Sequence, residues 1–375
     1  MLYLDNSATT RVDPEVLEVM LPYLREEFGN PSSKYYTLAE NAKHAVNKAR
    51  EQVSLLLGCE IDEVIFTSGA TESNNMVLKG VADFYRDKGN HIITTKVEHP
   101  SVLDTCEYLE KKGFQVTYLD VDEYGRVKLD QLEEKIREDK PILVSVLWGN
   151  NEIGSLNNIQ DIAKICSIYE VFFHTDATQV IGKMSISLQD NPGIRFLSMS
   201  AHKINGPKGI GVCVIRKETS TVKTKITPLL HGGGQENGYR SGTLAVHNIV
   251  GIGKAAELAS ARVLENQAKL LELEQYLVSI LKDKFGKQVQ FNNDFSNKIH
   301  GILSVRFVGS KNNEILIKQL APYMALSTGS ACSSGKPSHV LQALGKSQSE
   351  IAQTIRISLS PHTTTEQLDI FRGIN

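Results

Sequence analysis

The chain has 375 residues, 41% of them hydrophobic and 22% charged, with a formal net charge of −2. This composition suits a globular protein long enough for two domains and a large core. No basic stripe is visible, so tight direct binding to nucleic acid is not indicated, and no run approaches the roughly 20 apolar residues of a membrane span.

The first residues, Met1-Leu2-Tyr3-Leu4-Asp5, lack the basic leader and apolar stretch of a signal peptide. A helical stripe follows at Leu38, Ala42, Ala45, Ala49, Val53 and Leu56. Candidate strands occupy residues 63–67, 91–95, 115–119, 142–147, 171–175, 195–199 and 211–215, with helical patterns between several of them, such as Ile159, Ile162, Ala163, Ile165 and Cys166. This alternation predicts an α/β fold: a mostly parallel seven-stranded sheet flanked by helices, in a large domain over residues 13–253. Such sheets place ligands at the carboxyl ends of their strands. Near Gly251 the pattern changes. One long amphipathic helix is predicted over 254–284, then a strand at 302–307, a helix at 314–320, a Gly/Ser-rich loop at 327–335 and a strand at 354–359. These make a smaller α+β domain, residues 254–375, with residues 1–12 packed on it.

Several segments carry chemistry. Ser68-Gly69-Ala70-Thr71-Glu72-Ser73 joins a strand to a helix predicted over 72–88. It is a phosphate cradle or an ordinary capping turn. His99, in Glu98-His99-Pro100-Ser101, is a loop histidine able to stack on a ring and move protons, or a surface residue. Asn150-Asn151-Glu152-Ile153-Gly154 offers an amide beyond the fourth strand. Asp176, just past a buried strand, is placed to pair with a protonated pyridine nitrogen or to cap a helix; Thr175 and Thr178 are read as structural. Lys203 ends Ser198-Met199-Ser200-Ala201-His202-Lys203 and is placed to form an imine with an aldehyde cofactor. The glycine-rich stretch 231–243 is a phosphate or carboxylate contact or a linker.

The five cysteines, Cys59, Cys106, Cys166, Cys213 and Cys332, show no CxxC spacing. An odd number without a framework argues for a reducing, cytoplasmic setting and against a zinc site. Four lie in apolar patterns. Cys332 alone sits among small polar residues, in Ser330-Ala331-Cys332-Ser333-Ser334, and is the thiol with a context fit for reaction.

Together these segments resemble the pyridoxal-phosphate cysteine desulfurases, the NifS/IscS-like family. The matching stretches run in family order: Tyr3-Leu4-Asp5-Asn6-Ser7-Ala8-Thr9-Thr10, Phe28-Gly29-Asn30-Pro31-Ser32-Ser33, then residues 66–74, 150–154, 176–179, 200–203, 231–243 and 330–334. The resemblance implies a fold type I architecture, pyridoxal 5'-phosphate as cofactor, L-cysteine as substrate and a homodimer. It implies that Lys203 holds the cofactor aldehyde as an imine and that Asp176 pairs with the pyridine nitrogen. His99 would stack on the ring and accept a proton, while Asn151 and Gln179 contact the phenolic oxygen side. Ala70, Thr71, Ser200 and His202 would hold the phosphate, joined by Thr243 from the second subunit. Arg356, with Asn151, would bind the substrate carboxylate, and Cys332 would accept the sulfur.

The implied reaction converts L-cysteine to L-alanine and leaves a persulfide on Cys332 for a partner protein. Compared with housekeeping members, the segment 333–341 is shorter and the chain ends sooner, at Asn375. Three recipients stay open: iron–sulfur cluster assembly, tRNA thiolation and DNA phosphorothioation. The rival readings are a selenocysteine lyase or other enzyme of this fold, and a non-catalytic scaffold in a sulfur relay.

Overall fold

The computed structural model describes residues 1–219, 221–310, 312–329 and 337–373. The chain opens with strand β1 (Leu2–Tyr3) and helices α1 (Pro14–Arg25) and α2 (Thr37–Leu57). Asp13 starts α1 by accepting the Glu15 N–H at 2.9 Å, next to a proline that needs no donor there. Strands and helices then alternate: β2 (Val64–Thr67), α3 (Ala70–Phe84), β3 (His91–Thr95), α4 (Pro100–Glu110), β4 (Gln115–Leu119), α5 (Leu129–Asp139), β5 (Leu143–Ser145), α6 (Ile159–Ile168) and β6 (Phe172–Asp176). Strands β7 (Phe196–Ser200) and β8 (Gly211–Ile215) follow. The remainder holds α7 (Val246–Phe285), β9 (Val289–Phe291), β10 (Ile302–Phe307), α8 (Asn313–Leu320), β11 (Met324–Ala325), α9 (His339–Ala343) and β12 (Thr354–Ser358).

Seven strands form one sheet in the order β2-β8-β7-β6-β5-β3-β4. β8 is antiparallel to both neighbours, and the other pairings are parallel. Alternate residues of each strand feed opposite faces. Phe66, Ile93, Val144, Leu197 and Val212 join α1, α2, α6 and the start of α7, whereas Ile65, Ile92, Leu143, Phe196 and Cys213 join α3 and α4. Because helices cover both faces, strands such as β2 and β8 are buried from end to end, whereas the edge strand β4 is buried only at Leu119.

The second core has a three-stranded antiparallel sheet, β12-β10-β9. Val305, Ile355 and Ile357 pack there against Leu270, Leu273, Leu277 and Ile280 of α7, together with Leu4. β1 pairs in parallel with β11, which holds the chain start against this core.

Three helices differ from expectation. α7 begins at Val246, eight residues before the predicted start, and runs for 40 residues. Its first turns carry Gly251 and Gly253, which weaken a helical pattern. They are there for packing: a Cβ on Gly251 would come within 2.8 Å of Met20 Sδ, and one on Gly253 within 2.6 Å of Ala49 Cα. α3 spans Ala70–Phe84 rather than 72–88, so its first turn reaches the sheet edge. In α2 the buried face is Ala39, Ala42, Val46, Ala49, Val53 and Leu57, with Leu38, Ala45 and Leu56 at its margin. Among the described residues no helix is long and apolar enough to cross a membrane.

Candidate active site

The carboxyl ends of the parallel strands open onto one cavity of about 480 Å³, the size of a small-molecule site. At one end β2 runs into Ser68 and Gly69, and Ala70 and Thr71 of α3 line the wall beside Ser200. Gly69 has φ 154°, a conformation that side chains avoid. This turn lies hard against β8: a Cβ on Gly211 would approach Gly69 Cα to 2.6 Å. The amino end of α3 presents partial positive charge, suited to a phosphate. Glu72 accepts the Ser68 N–H at 2.8 Å and pairs with Arg240 at 2.9 Å. Burial opposes its ionisation, but the bonds from Arg240 and Ser68 win and hold it below the usual carboxylate range.

Asp176, 7% exposed, ends β6. Its Oδ2 accepts from Asn74 Nδ2 at 2.8 Å, and its Oδ1 accepts the Thr178 N–H at 3.0 Å. Asn74 gives its other amide hydrogen to Ser101 Oγ at 2.8 Å. That hydroxyl lies 2.8 Å from His99 Nδ1, which also accepts the Ser101 N–H at 3.1 Å. A ring nitrogen that accepts a backbone N–H has no proton, so neutral His99 carries its proton on Nε2. Burial lowers the His99 pKa and favours this neutral form, against the pull of Asp176.

Lys203 closes a 3₁₀ turn that leaves β7. Its Nζ donates to Ser7 O and, at 2.7 Å, to Ala8 O. Gln179 Nε2 also donates to Ser7 O, at 2.9 Å. His202 Nδ1 lies 3.1 Å from Thr9 Oγ1. Burial, aided by the Lys203 and Lys208 charges, pulls this imidazole down to about 4, so it stays neutral. Opposite, Arg356 Nη2 meets Asp5 Oδ1 at 2.7 Å, and Nη1 donates to Asn151 O at 2.9 Å and Gly329 O at 3.2 Å. Its buried Nε has no partner among the described residues.

Residues 2–371 match the family described as Aminotransferase class-V. The chain belongs to the class-V aminotransferase family. The cysteine desulfurase IscS of Dictyoglomus turgidum is 44% identical over 370 residues, covering 98% of this chain and 92% of its own. A NifS-like protein of known structure superposes with a TM-score of 0.91 at 40% identity, covering 99% of this chain and 96% of its own. A structure of SspA in complex with cysteine gives 0.83 at 36% identity, covering 97% and 100%.

Within this class-V chain, Ala70, Thr71, His99 and Asn151 share the cavity with Asp176, Gln179, Ser200, His202, Lys203 and Arg356. Thr243 does not: it is exposed and lies outside the cavity of its own chain. Cys332 lies outside the described residues. Cys59, Cys106 and Cys166 are pushed by burial up to about 12, and burial raises Cys213 as well, so these thiols stay protonated. The stretch 231–243 is anchored to the cavity wall: besides the Arg240–Glu72 pair, buried Glu236 binds Arg50 at 2.6 Å and accepts the Phe66 N–H at 2.7 Å.

Other groups escaped the sequence reading. Thr178, read as structural, lines the cavity, and its Oγ1 has no partner among the described residues. Asn74 had a usable signal, a lone amide on the apolar helix face of Val77, Leu78 and Val81. Glu152 and His339 also line the cavity. Ser338 Oγ donates to Glu152 at 2.5 Å, while burial raises the Glu152 pKa. His339 Nε2 lies 2.8 Å from the Glu98 carbonyl. Nothing near these residues in the chain announces their meeting.

Proposed function

We infer that this chain is a cysteine desulfurase that binds pyridoxal phosphate, converts L-cysteine to L-alanine and passes the sulfur to Cys332. The observation that carries the reading is the meeting of an amine, a buried carboxylate, a helix amino end and a buried arginine in one cavity, in a chain 44% identical to an IscS cysteine desulfurase. The donor set fits the cofactor: Asp176 is buried and held by two donors, Gly69 leaves room at the phosphate end, and Thr178 Oγ1 has a bond to spare. Pyridoxal phosphate bound there supplies an aldehyde for imine formation and an electron-withdrawing ring.

Lys203 would hold the aldehyde and would serve as the base that moves the proton of the substrate Cα. Asp176 keeps a positive charge on the ring nitrogen. Ala70, Thr71, Ser200 and His202 hold the phosphate, and Thr243 of a second subunit completes that end in a homodimer. The exposure of Thr243 supports this arrangement. Arg356 and Asn151 orient the substrate carboxylate. His99, its proton on Nε2, stacks on the ring and relays protons. The thiolate of Cys332 attacks the substrate sulfur. The Cβ–S bond breaks with its electron pair going to Cβ, which takes up a proton to become the methyl of alanine; sulfur is oxidised as that carbon is reduced, and Cys332 keeps the sulfur as a persulfide with no outside oxidant. A partner protein then takes that sulfur. The free thiols of Cys59, Cys106, Cys166 and Cys213 suit a reducing cytoplasm.

Incubation of the cofactor-loaded protein with L-cysteine, scoring alanine and protein persulfide, tests the reading. Lys203→Ala is expected to lose alanine formation, and Cys332→Ala to keep the cofactor's visible absorbance while losing the persulfide. Alanine production at the native rate by Lys203→Ala would contradict the assignment.

A further inference from the structure

Lys183 lies outside the cofactor cavity. It borders a separate, smaller cavity behind Lys203. Its Nζ donates to Gln179 Oε1 at 2.7 Å, while Gln179 Nε2 donates to Ser7 O at 2.9 Å. The carbonyl of Ser7 only accepts, and it also receives Lys203 Nζ. The Gln179 amide is therefore held at both ends: oxygen toward Lys183, nitrogen toward Ser7. Gln179 is 5% exposed and four residues before Lys183, so the two side chains lie together behind the strand end of β6. Burial, with the Lys203 and Arg356 charges, pulls the Lys183 amine down to about 7. Charged, the amine only donates; neutral, it can also accept, and the Ser7 carbonyl, which only accepts, then helps to keep the amide in the same orientation.

We propose that Lys183 is a positioning residue that acts through Gln179, fixing its amide so that only the N–H end faces the phenolic oxygen of the bound cofactor. The proposal rests on the cofactor assignment above. An amide free to turn over would present its oxygen part of the time, against an oxygen that needs a donor. Lys183, at the oxygen end, adds to the Ser7 carbonyl in disfavouring that state, and does so without touching the ligand. The donor keeps the phenolic oxygen ionised and thereby lowers the pH at which the cofactor chromophore titrates.

The test follows the visible absorbance of the loaded protein against pH, together with cofactor affinity. K183M is expected to keep its colour but to titrate at higher pH, with cofactor affinity two- to tenfold weaker, the effect of about one hydrogen bond. Q179A should show the same shift, and K183M placed in Q179A should add nothing. K183Q, which restores an N–H donor, should return toward the native titration; a K183Q that matches K183M would overturn orientation by hydrogen bonding. An unshifted K183M, or a shift that persists in the Q179A background, would also overturn it. A native protein that stays colourless with the cofactor would instead sink the cofactor assignment, and this inference with it.

Discussion

Glu98 keeps its carboxyl inside the protein, 1% exposed. Oε1 accepts from Thr95 Oγ1 at 2.7 Å and from the Leu147 N–H at 3.0 Å, while buried Oε2 has no partner among the described residues. Burial pushes its pKa from the ordinary 4.5 up to about 8. The folded protein therefore holds a proton that the unfolded chain has released. This contribution to stability is complete below pH 4.5 and is lost as pH rises through about 8. Glu98→Gln keeps a neutral group there. Relative to the native protein, it is expected to gain stability steadily from pH 5 to 8 in urea unfolding, then to level off. A constant difference across that range would show that Glu98 is ionised in the fold. At this scale the sequence was legible in part. Lys203 and Asp176 stood out because each follows an apolar strand that aims it at the sheet edge. Glu98 reads as one more loop acid, because its burial comes from β3 and the Leu147 backbone rather than from its own neighbours.

At the scale of elements, period-2 and period-3.6 patterns located the strands and most helices, because each element buries a face or two of its own. They failed where an element serves two partners. α7 packs Ile252 and Ala256 into the first core and Leu273 and Leu277 into the second, so no single stripe runs its whole length. Within the stretch that faces the second core, α7 carries Glu274, which pairs with the fully buried Lys298 and accepts the Gly301 N–H at 2.7 Å. Glu274→Ala leaves that lysine desolvated without its counter-charge. The expected loss in urea unfolding is about 3–5 kcal/mol, because breaking one side of a buried pair leaves the desolvation of the other uncompensated. A loss under about 1 kcal/mol would mean that Lys298 simply goes neutral at little cost. Gly211→Ala tests the sheet edge in the same way: with Met199 O only 2.5 Å from the added carbon, the turn at Gly69 must move, and cofactor affinity is expected to fall by at least tenfold.

For the whole molecule, the division into residues 13–253 and residues 1–12 with 254–375 remains our proposal, supported by two apolar cores that share α7. The proposed dimer has a sharper consequence. If Thr243 serves the partner's cofactor, Lys203→Ala and Thr243→Ala chains co-expressed should form mixed dimers with one intact site. Alanine formation is then expected above that of either variant alone; no gain would place Thr243 outside the partner's site. The order of strands and helices, the strand ends that carry Asp176 and Lys203, and the family were all legible before folding was considered. Those depend on short-range patterns that a chain must show to bury its own elements. It took the folded chain to bring Ser7 and Ala8 to the amine of Lys203, and Asp5 to Arg356. These contacts join residues 195 to 351 positions apart, and hydrogen bonds of that kind leave no periodic trace in the chain.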